Sequence, residues 1–236
     1  MIIIFFGEKM RLRKKKNLEQ RLAGVDDYLV VKEGSDFYYN PARKNEVKID
    51  IDKAFKKPGR LFLELGCGKG AFVCEMAKKY PSDNFIALEK VPNVIVSACE
   101  RAKSEGLDNV KFVLGSAENL NCFLEDDTVD GIFLNFSCPY PKKTYANHRL
   151  TNPKFLKIYL GLMKDGSKIV QKTDNRGLFE YSIQTLSEAG FILRDVCLDL
   201  HASEAVDNVM TEYETNFVAQ GLLIYKLEAY KPTREE

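Results

Sequence analysis

Net charge is nearly absent from this 236-residue sequence, in which 35 Lys and Arg face 34 Asp and Glu. The chain therefore lacks a strong global field for nucleic acid, and any RNA binding must come from local basic patches. The six cysteines, Cys67, Cys74, Cys99, Cys122, Cys138 and Cys197, include no CxxC pair. That argues against zinc and against a disulfide scaffold, and it leaves reduced thiols in a cytoplasmic protein as the simplest reading. Long apolar runs are missing as well. The opening stretch, Met1 to Phe6, spans six residues, too few to cross a bilayer, and it lacks the basic flank of a signal peptide. Met10 is expected to be the biological start, with residues 1–9 as upstream readthrough or a disordered tag; a short edge strand is the alternative. There are no internal repeats and no low-complexity segments.

What is present suits a globular domain, with 45% hydrophobic and 29% charged residues. Arg11 to Lys16 places five cations in six positions, which on composition alone reads as a solvated tail. Residues 17–57 are weakly periodic, carry Pro41 and read as an irregular extension. From Arg60 onward, short apolar runs alternate with helical patterns. Strands are expected at Leu61–Leu65, Phe85–Leu88, Val110–Leu114, Val129–Asn135, Ser167–Gln171, Ile192–Leu200 and Leu222–Leu227. Phe72, Val73, Met76, Ala77 and Tyr80 share one helical face; Val94, Ile95, Ala98, Cys99 and Ala102 share another, closed by Gly106. Pro153 is placed for the first turn of a later helix. Such alternation argues for an α/β fold, a mostly parallel sheet with helices on both faces.

The sharpest local signal is Leu63-Glu64-Leu65-Gly66-Cys67-Gly68-Lys69-Gly70, between a strand and a helix. Glycines there let the backbone turn tightly and approach a ligand. Glu89 ends the next strand, where a carboxylate accepts hydrogen bonds from ribose hydroxyls. The spacing is GxGxG, not the GxGxxG of a dinucleotide loop. Glu64 would repel a pyrophosphate, whereas S-adenosylmethionine carries a sulfonium and an ammonium and suits an acidic loop.

Three later segments follow strands, on the side where open α/β sheets bind ligands. Asn135 to Lys143, continuing to His148 and Arg149, combines prolines, aromatics and cations. It reads either as a site that stacks a base and holds phosphates or as a rigid basic surface loop. Lys172-Thr173-Asp174-Asn175 is a substrate loop, a helix cap, or both. Thr211-Glu212-Tyr213-Glu214 has the Thr-x-x-Glu form of a capping box.

Together the stretches GCGKGAF, NFSCPYPKK with HRLT, KTDNRGLFEYS, LDLH and MTEYETNF resemble the bacterial tRNA (guanine-N7-)-methyltransferases, class I S-adenosylmethionine-dependent enzymes. The resemblance runs from Met10 to Ala229. It implies a Rossmann-like fold with a seven-stranded sheet whose last strand is antiparallel. It also implies methyl transfer from S-adenosylmethionine to guanine 46 of the tRNA variable loop, in a cytoplasmic monomer or homodimer with no metal and no membrane partner. Residues 1–57 would form a basic arm and extension, and 58–236 the methyltransferase domain. Glu64, Gly66, Gly68, Glu89, Ser116 and Cys138 would lie against the cofactor. Ser116 stands where an acidic or amide residue is common, Cys138 where a catalytic aspartate is usual, and Tyr140 where tryptophan is usual. Lys142, Asp174, Thr211, Glu212, Tyr213 and Glu214 match substrate positions, with Asp174 also a catalytic candidate. Lys143, His148, Arg149 and the cations Arg11, Arg13, Lys14, Lys15 and Lys16 would contact RNA.

The cysteine does not by itself argue against activity. Guanine N7 is a bare acceptor with no proton to remove. An activated sulfonium donor then needs chiefly to be held in line with it. Two other readings remain: a methyltransferase with a different target, and a tRNA-binding protein without catalysis.

Overall fold

The computed structural model describes residues 17–31, 48–203 and 208–233. In chain order the elements are α1 (Leu18–Ala23), β1 (Leu29–Val31), α2 (Ile51–Ala54), β2 (Leu61–Leu65), α3 (Ala71–Lys79), β3 (Asn84–Glu89), α4 (Pro92–Ser104), β4 (Val110–Leu114), α5 (Leu120–Phe123), β5 (Val129–Asn135), α6 (Pro153–Leu162), β6 (Met163–Thr173), α7 (Arg176–Glu188), β7 (Ile192–Cys197), α8 (Glu212–Ala219) and β8 (Tyr225–Tyr230). Short 3-10 turns cover Ala117–Asn119 and Lys143–His148. No helix among the described residues is long and apolar enough to cross a membrane.

The strands form one sheet in the order β1-β4-β3-β2-β5-β6-β8-β7. All pairs from β1 to β6 are parallel, and β8 runs antiparallel to both its neighbours. From β2 the chain builds outward through β3 and β4, then returns to place β5 on the other side of β2. The order reverses at β2 and β5, so their C-terminal ends open the crevice where such sheets bind ligands.

Alternate strand residues feed two cores. Leu63, Leu65, Ile132, Leu134 and Ile169 pack with Leu156, Tyr159 and Phe179 of α6 and α7. Phe85, Ala87, Val110 and Phe112 pack with Val73, Ala77, Ile95 and Ala98 of α3 and α4. Burial on both faces explains why β2 to β5 read as continuous apolar runs.

Several expectations change, among them the bounds of β6, which runs from Met163 to Thr173 and not only from Ser167 to Gln171. The sheet has eight strands where seven were expected. The additional one is β1, three residues from the segment read as irregular, with Leu29 opposite Phe112. So short a strand carries no periodic signal, and its place is set by pairing with β4. The last strand begins at Tyr225, three residues later than read from the apolar run, because Leu222 and Leu223 are half exposed before it. In β8 the polar Lys226 and Glu228 alternate with the apolar Leu227 and Ala229, and that alternation of residue type marks the strand. β7 stops at Cys197, short of Leu200. The five cations Arg11, Arg13, Lys14, Lys15 and Lys16 and the apolar opening Met1 to Phe6 lie outside the described residues.

Candidate active site

At the switch point, Glu64 of β2 lies next to Asn135, the last residue of β5. Asn135 Nδ2 donates to Glu64 Oε1 over 3.1 Å. The two side chains are exposed by only 4% and 8%, yet Glu64 Oε2 and Asn135 Oδ1 have no hydrogen-bond partner among the described residues. Burial pushes the Glu64 carboxyl up from 4.5 to about 7, against the pull of Asn135, the Lys172 charge and the nearby Val73 backbone N–H. Two buried acceptors without donors make a seat for a positively charged donor.

Beyond β2 the chain turns at Gly66 and Gly68, with φ of 82° and 58° that side-chain-bearing residues rarely adopt. A Cβ on either would meet nothing within 4 Å, so both face open space. Gly70 differs: its Cβ would lie 2.8 Å from that of Ala98, the close approach of α3 to α4. Glu89 Oε2 accepts from the Gly68 N–H at 3.3 Å, and its Oε1 accepts from the Lys90 and Val91 N–H groups at 2.8 and 3.0 Å. Burial raises the Glu89 carboxyl as well, and these backbone donors oppose the rise. Ser116 follows β4, and its hydroxyl accepts from the Glu118 N–H at 3.4 Å.

The loop leaving β5 is bent sharply: Phe136 and Tyr140 have φ of 49° and 42°, left-handed values that are costly for aromatic residues. Phe136 N–H donates to the Lys172 carbonyl at 2.8 Å, tying the loop to β6. Cys138 is exposed between the two bends. Lys142 and Lys143 are exposed, and the rings of Tyr140, His148 and Tyr145 follow one another at 5.5 and 6.2 Å. Arg149 turns inward, donating to the Pro139 and Tyr140 carbonyls at 3.0 Å each.

Lys172, at the end of β6, is the third pole of the site. Its ammonium donates to Glu214 Oε2 at 2.6 Å, to the Val209 carbonyl at 2.8 Å and to Asn208 Oδ1 at 3.1 Å, and it stands 5.3 Å from the centre of the Phe72 ring. Lys172 is 4% and Glu214 0% exposed at the side chain. Burial pulls the ammonium below the ordinary lysine value, and the Glu214 carboxylate opposes the pull. Glu214 Oε1 accepts from Asn208 Nδ2 at 2.5 Å and lies 3.0 Å from His201 Nε2. Glu214 also closes the capping box of α8: its N–H donates to Thr211 Oγ1 at 2.9 Å, and the Thr211 N–H to its Oε2 at 3.4 Å. Two residues beyond Lys172, Asp174 is half-buried; burial raises its carboxyl, and a hydrogen bond from its own backbone N–H opposes the rise. The cap of α7 comes from Asn175, whose side chain accepts from the Leu178 N–H at 2.8 Å. Among the described residues no group of His, Cys, Asp or Glu is placed to hold a metal.

A family model described as "Putative methyltransferase" matches residues 58–227. A tRNA (guanine-N(7)-)-methyltransferase of Geobacillus kaustophilus is 42% identical over 95% of this chain and 99% of its own. One from Halalkalibacterium halodurans is 44% identical over 78% of this chain and 84% of its own. The chain belongs to the tRNA (guanine-N7-)-methyltransferase family. Its Rossmann-like methyltransferase fold is shared with the solved 16S rRNA methyltransferase KamB, which is 14% identical with a TM-score of 0.60 and covers 80% of this chain and 95% of that one.

In this family member the expected site residues divide. Glu64, Gly66, Gly68, Glu89, Ser116, Cys138 and Asp174 all lie at the C-terminal ends of β2 to β6. Thr211 and Glu214 are buried at the start of α8. Glu212 pairs with Arg101 at 2.7 Å, and Tyr213 is 61% exposed against Phe217. Sequence reasoning placed Asn135 and Lys172 at the starts of candidate substrate loops without giving either a role of its own, and it missed His201 as a contact of Glu214. A polar Asn and Lys closing apolar runs were the available signal, since a buried strand end takes such residues only with partners.

Proposed function

We propose that this chain transfers a methyl group from S-adenosylmethionine to N7 of a guanine in tRNA, guanine 46 of the variable loop, in the cytoplasm. The observation that carries this reading is the likeness to the Geobacillus kaustophilus protein, 42% identity across 95% of the chain. Residues 58–236 act as the methyltransferase domain, with 1–57 as its extension.

The site fits the cofactor. Glu64 Oε2 and Asn135 Oδ1 lack donors, which suits an ammonium, and Gly66 and Gly68 leave room for a ligand against the backbone. Glu89 keeps acceptor capacity for ribose hydroxyls beyond its backbone bonds. When bound, S-adenosylmethionine supplies a methyl group on a sulfonium, already activated for transfer.

The protein's task is to place the base. Guanine N7 offers a lone pair and no proton, so no general base is required. Asp174 holds a half-buried carboxylate that keeps acceptor capacity beyond the bond from its own backbone N–H, suited to accept from the N1–H and N2–H groups of the guanine edge. Cys138, exposed between the two left-handed residues of this loop, stands where the family resemblance implies an aspartate and would help to orient the base or the donor. The Tyr140, His148 and Tyr145 rings offer a stacking surface, and Lys142 and Lys143 offer charge for phosphates. Arg11, Arg13, Lys14, Lys15 and Lys16 add a phosphate-gripping arm. Thr211 and Glu214 act on the substrate by fixing α8, with Glu212 and Tyr213 on its outer side.

The test is incubation of the protein with unmodified tRNA transcript and radiolabelled S-adenosylmethionine, followed by nucleoside analysis. Label in 7-methylguanosine is the expected result. Label in another nucleoside overturns the target, and bound tRNA with no label overturns the activity.

A further inference from the structure

We infer that Arg149 is a positioning residue that clamps the loop carrying Cys138, and not a phosphate contact. The inference rests on the methyl-transfer reading for its catalytic meaning. Arg149 closes the 3-10 turn Lys143–His148, in the stretch where an exposed cation facing RNA was expected. Its guanidinium instead points into the protein. Nε donates to the Pro139 carbonyl and Nη2 to the Tyr140 carbonyl, both at 3.0 Å. These are the two residues that follow Cys138.

The geometry suits arginine alone. A guanidinium presents its N–H groups as a rigid planar fork, and here the fork bridges two consecutive carbonyls. Its flat face rests 4.4 Å from the centre of the Tyr181 ring on α7. Tyr181 is itself held, its hydroxyl accepting from Asn152 Nδ2 at 3.0 Å. Next to it, Thr151 Oγ1 and Ser182 Oγ share a buried hydrogen bond of 2.8 Å. The chain of contacts therefore runs from α7 through Tyr181 and Arg149 to the backbone of Pro139 and Tyr140.

The loop requires such a clamp. Phe136 and Tyr140 both hold left-handed φ values, which persist only where surrounding contacts over-determine them. At the Phe136 end the restraint is the bond to the Lys172 carbonyl. At the Tyr140 end it is Arg149. A reaction that depends on aligning N7 with the methyl group is sensitive to displacements of about 1 Å, which cost on the order of 100-fold in rate.

The experiment compares wild-type protein with Arg149→Lys, which keeps the charge and loses the fork, and with Tyr181→Leu, which removes the ring beneath it. Three quantities are read: kcat at saturating tRNA, the dependence of tRNA affinity on salt, and amide hydrogen exchange across residues 136–142. Both variants should lower kcat by about 10- to 100-fold, leave the salt slope unchanged and speed exchange in that loop but not in β2. An Arg149→Ala protein, which also removes the charge, should likewise keep the wild-type slope, whereas loss of a phosphate contact reduces it by about one. A reduced slope with undiminished kcat and unaltered exchange overturns the clamp. Wild-type protein that never labels guanine N7 overturns the methyl-transfer reading instead, and the exchange measurement still decides whether Arg149 holds the loop.

Discussion

Glu64 and Glu214 are both buried carboxylates near the C-terminal rim of the sheet, 4% and 0% exposed, and their surroundings are opposite. Glu214 accepts from Lys172, Asn208 and the Thr211 N–H and lies against His201. Glu64 accepts from Asn135 and keeps one oxygen with no partner among the described residues. A buried acceptor left without a donor costs about 1–3 kcal/mol. At a ligand crevice such an atom is one that a bound donor can complete, whereas a saturated carboxylate belongs to the framework. The same residue type, a few strands apart, is thus open at the ligand crevice and closed at the junction of β6 and α8.

Breaking the closed carboxylate should have the largest effect. Glu214→Ala leaves the Lys172 charge buried without its partner and should cost about 3–5 kcal/mol, measured by denaturant unfolding. Replacing both partners with apolar residues, Lys172→Met with Glu214→Leu, should recover most of that loss while still impairing methyl transfer. If Glu214→Ala were as stable as wild type, the junction would not be the framework element described.

The open carboxylate makes a prediction about pH. Glu64 is held at about 7 in the folded protein against an ordinary 4.5, so the folded state binds more protons than the unfolded state across that window. Stability of the ligand-free protein should therefore fall as pH rises from about 4.5 to 7, by up to about 3 kcal/mol from this group. Glu64→Gln should remove that part of the slope and be no less stable at pH 7.5. A pH profile identical in wild type and Glu64→Gln would mean that the carboxyl is not shifted. The smallest effect concerns the start of α8. Thr211→Ala removes one side of the capping box and should cost about 1 kcal/mol, read as a shift in the unfolding midpoint.

Much of this contrast was visible in the sequence, and its hidden part has a physical reason. Leu61–Leu65, Val110–Leu114 and Val129–Asn135 are strands with the bounds that their apolar runs indicate, because burial on two faces writes itself into local composition. Gly66 and Gly68 announced the turn, and Thr211 with Glu214 announced the cap, since backbone geometry demands those residue types locally. β1 was not legible, because its three residues are placed by pairing with β4 and not by their own pattern. Nor was the inward turn of Arg149, whose charge read as a contact for RNA until the carbonyls of Pro139 and Tyr140 came within 3.0 Å. The link from Lys172 to Glu214 spans 42 positions, and no local pattern encodes it.

The most direct test of the open carboxylate is calorimetric titration of S-adenosylmethionine into the protein between pH 5.5 and 7, for wild type and Glu64→Gln. In this range the α-amine of the ligand stays largely protonated, so the ionisation of Glu64 dominates the profile. Wild-type affinity should strengthen by close to tenfold per pH unit at the acid end and level off toward about 7. Glu64→Gln should bind about 10- to 100-fold more weakly at pH 7, with a flat profile. Equal affinity in the two proteins, or the same pH profile in both, would contradict the assignment of Glu64 as the open acceptor of the cofactor site.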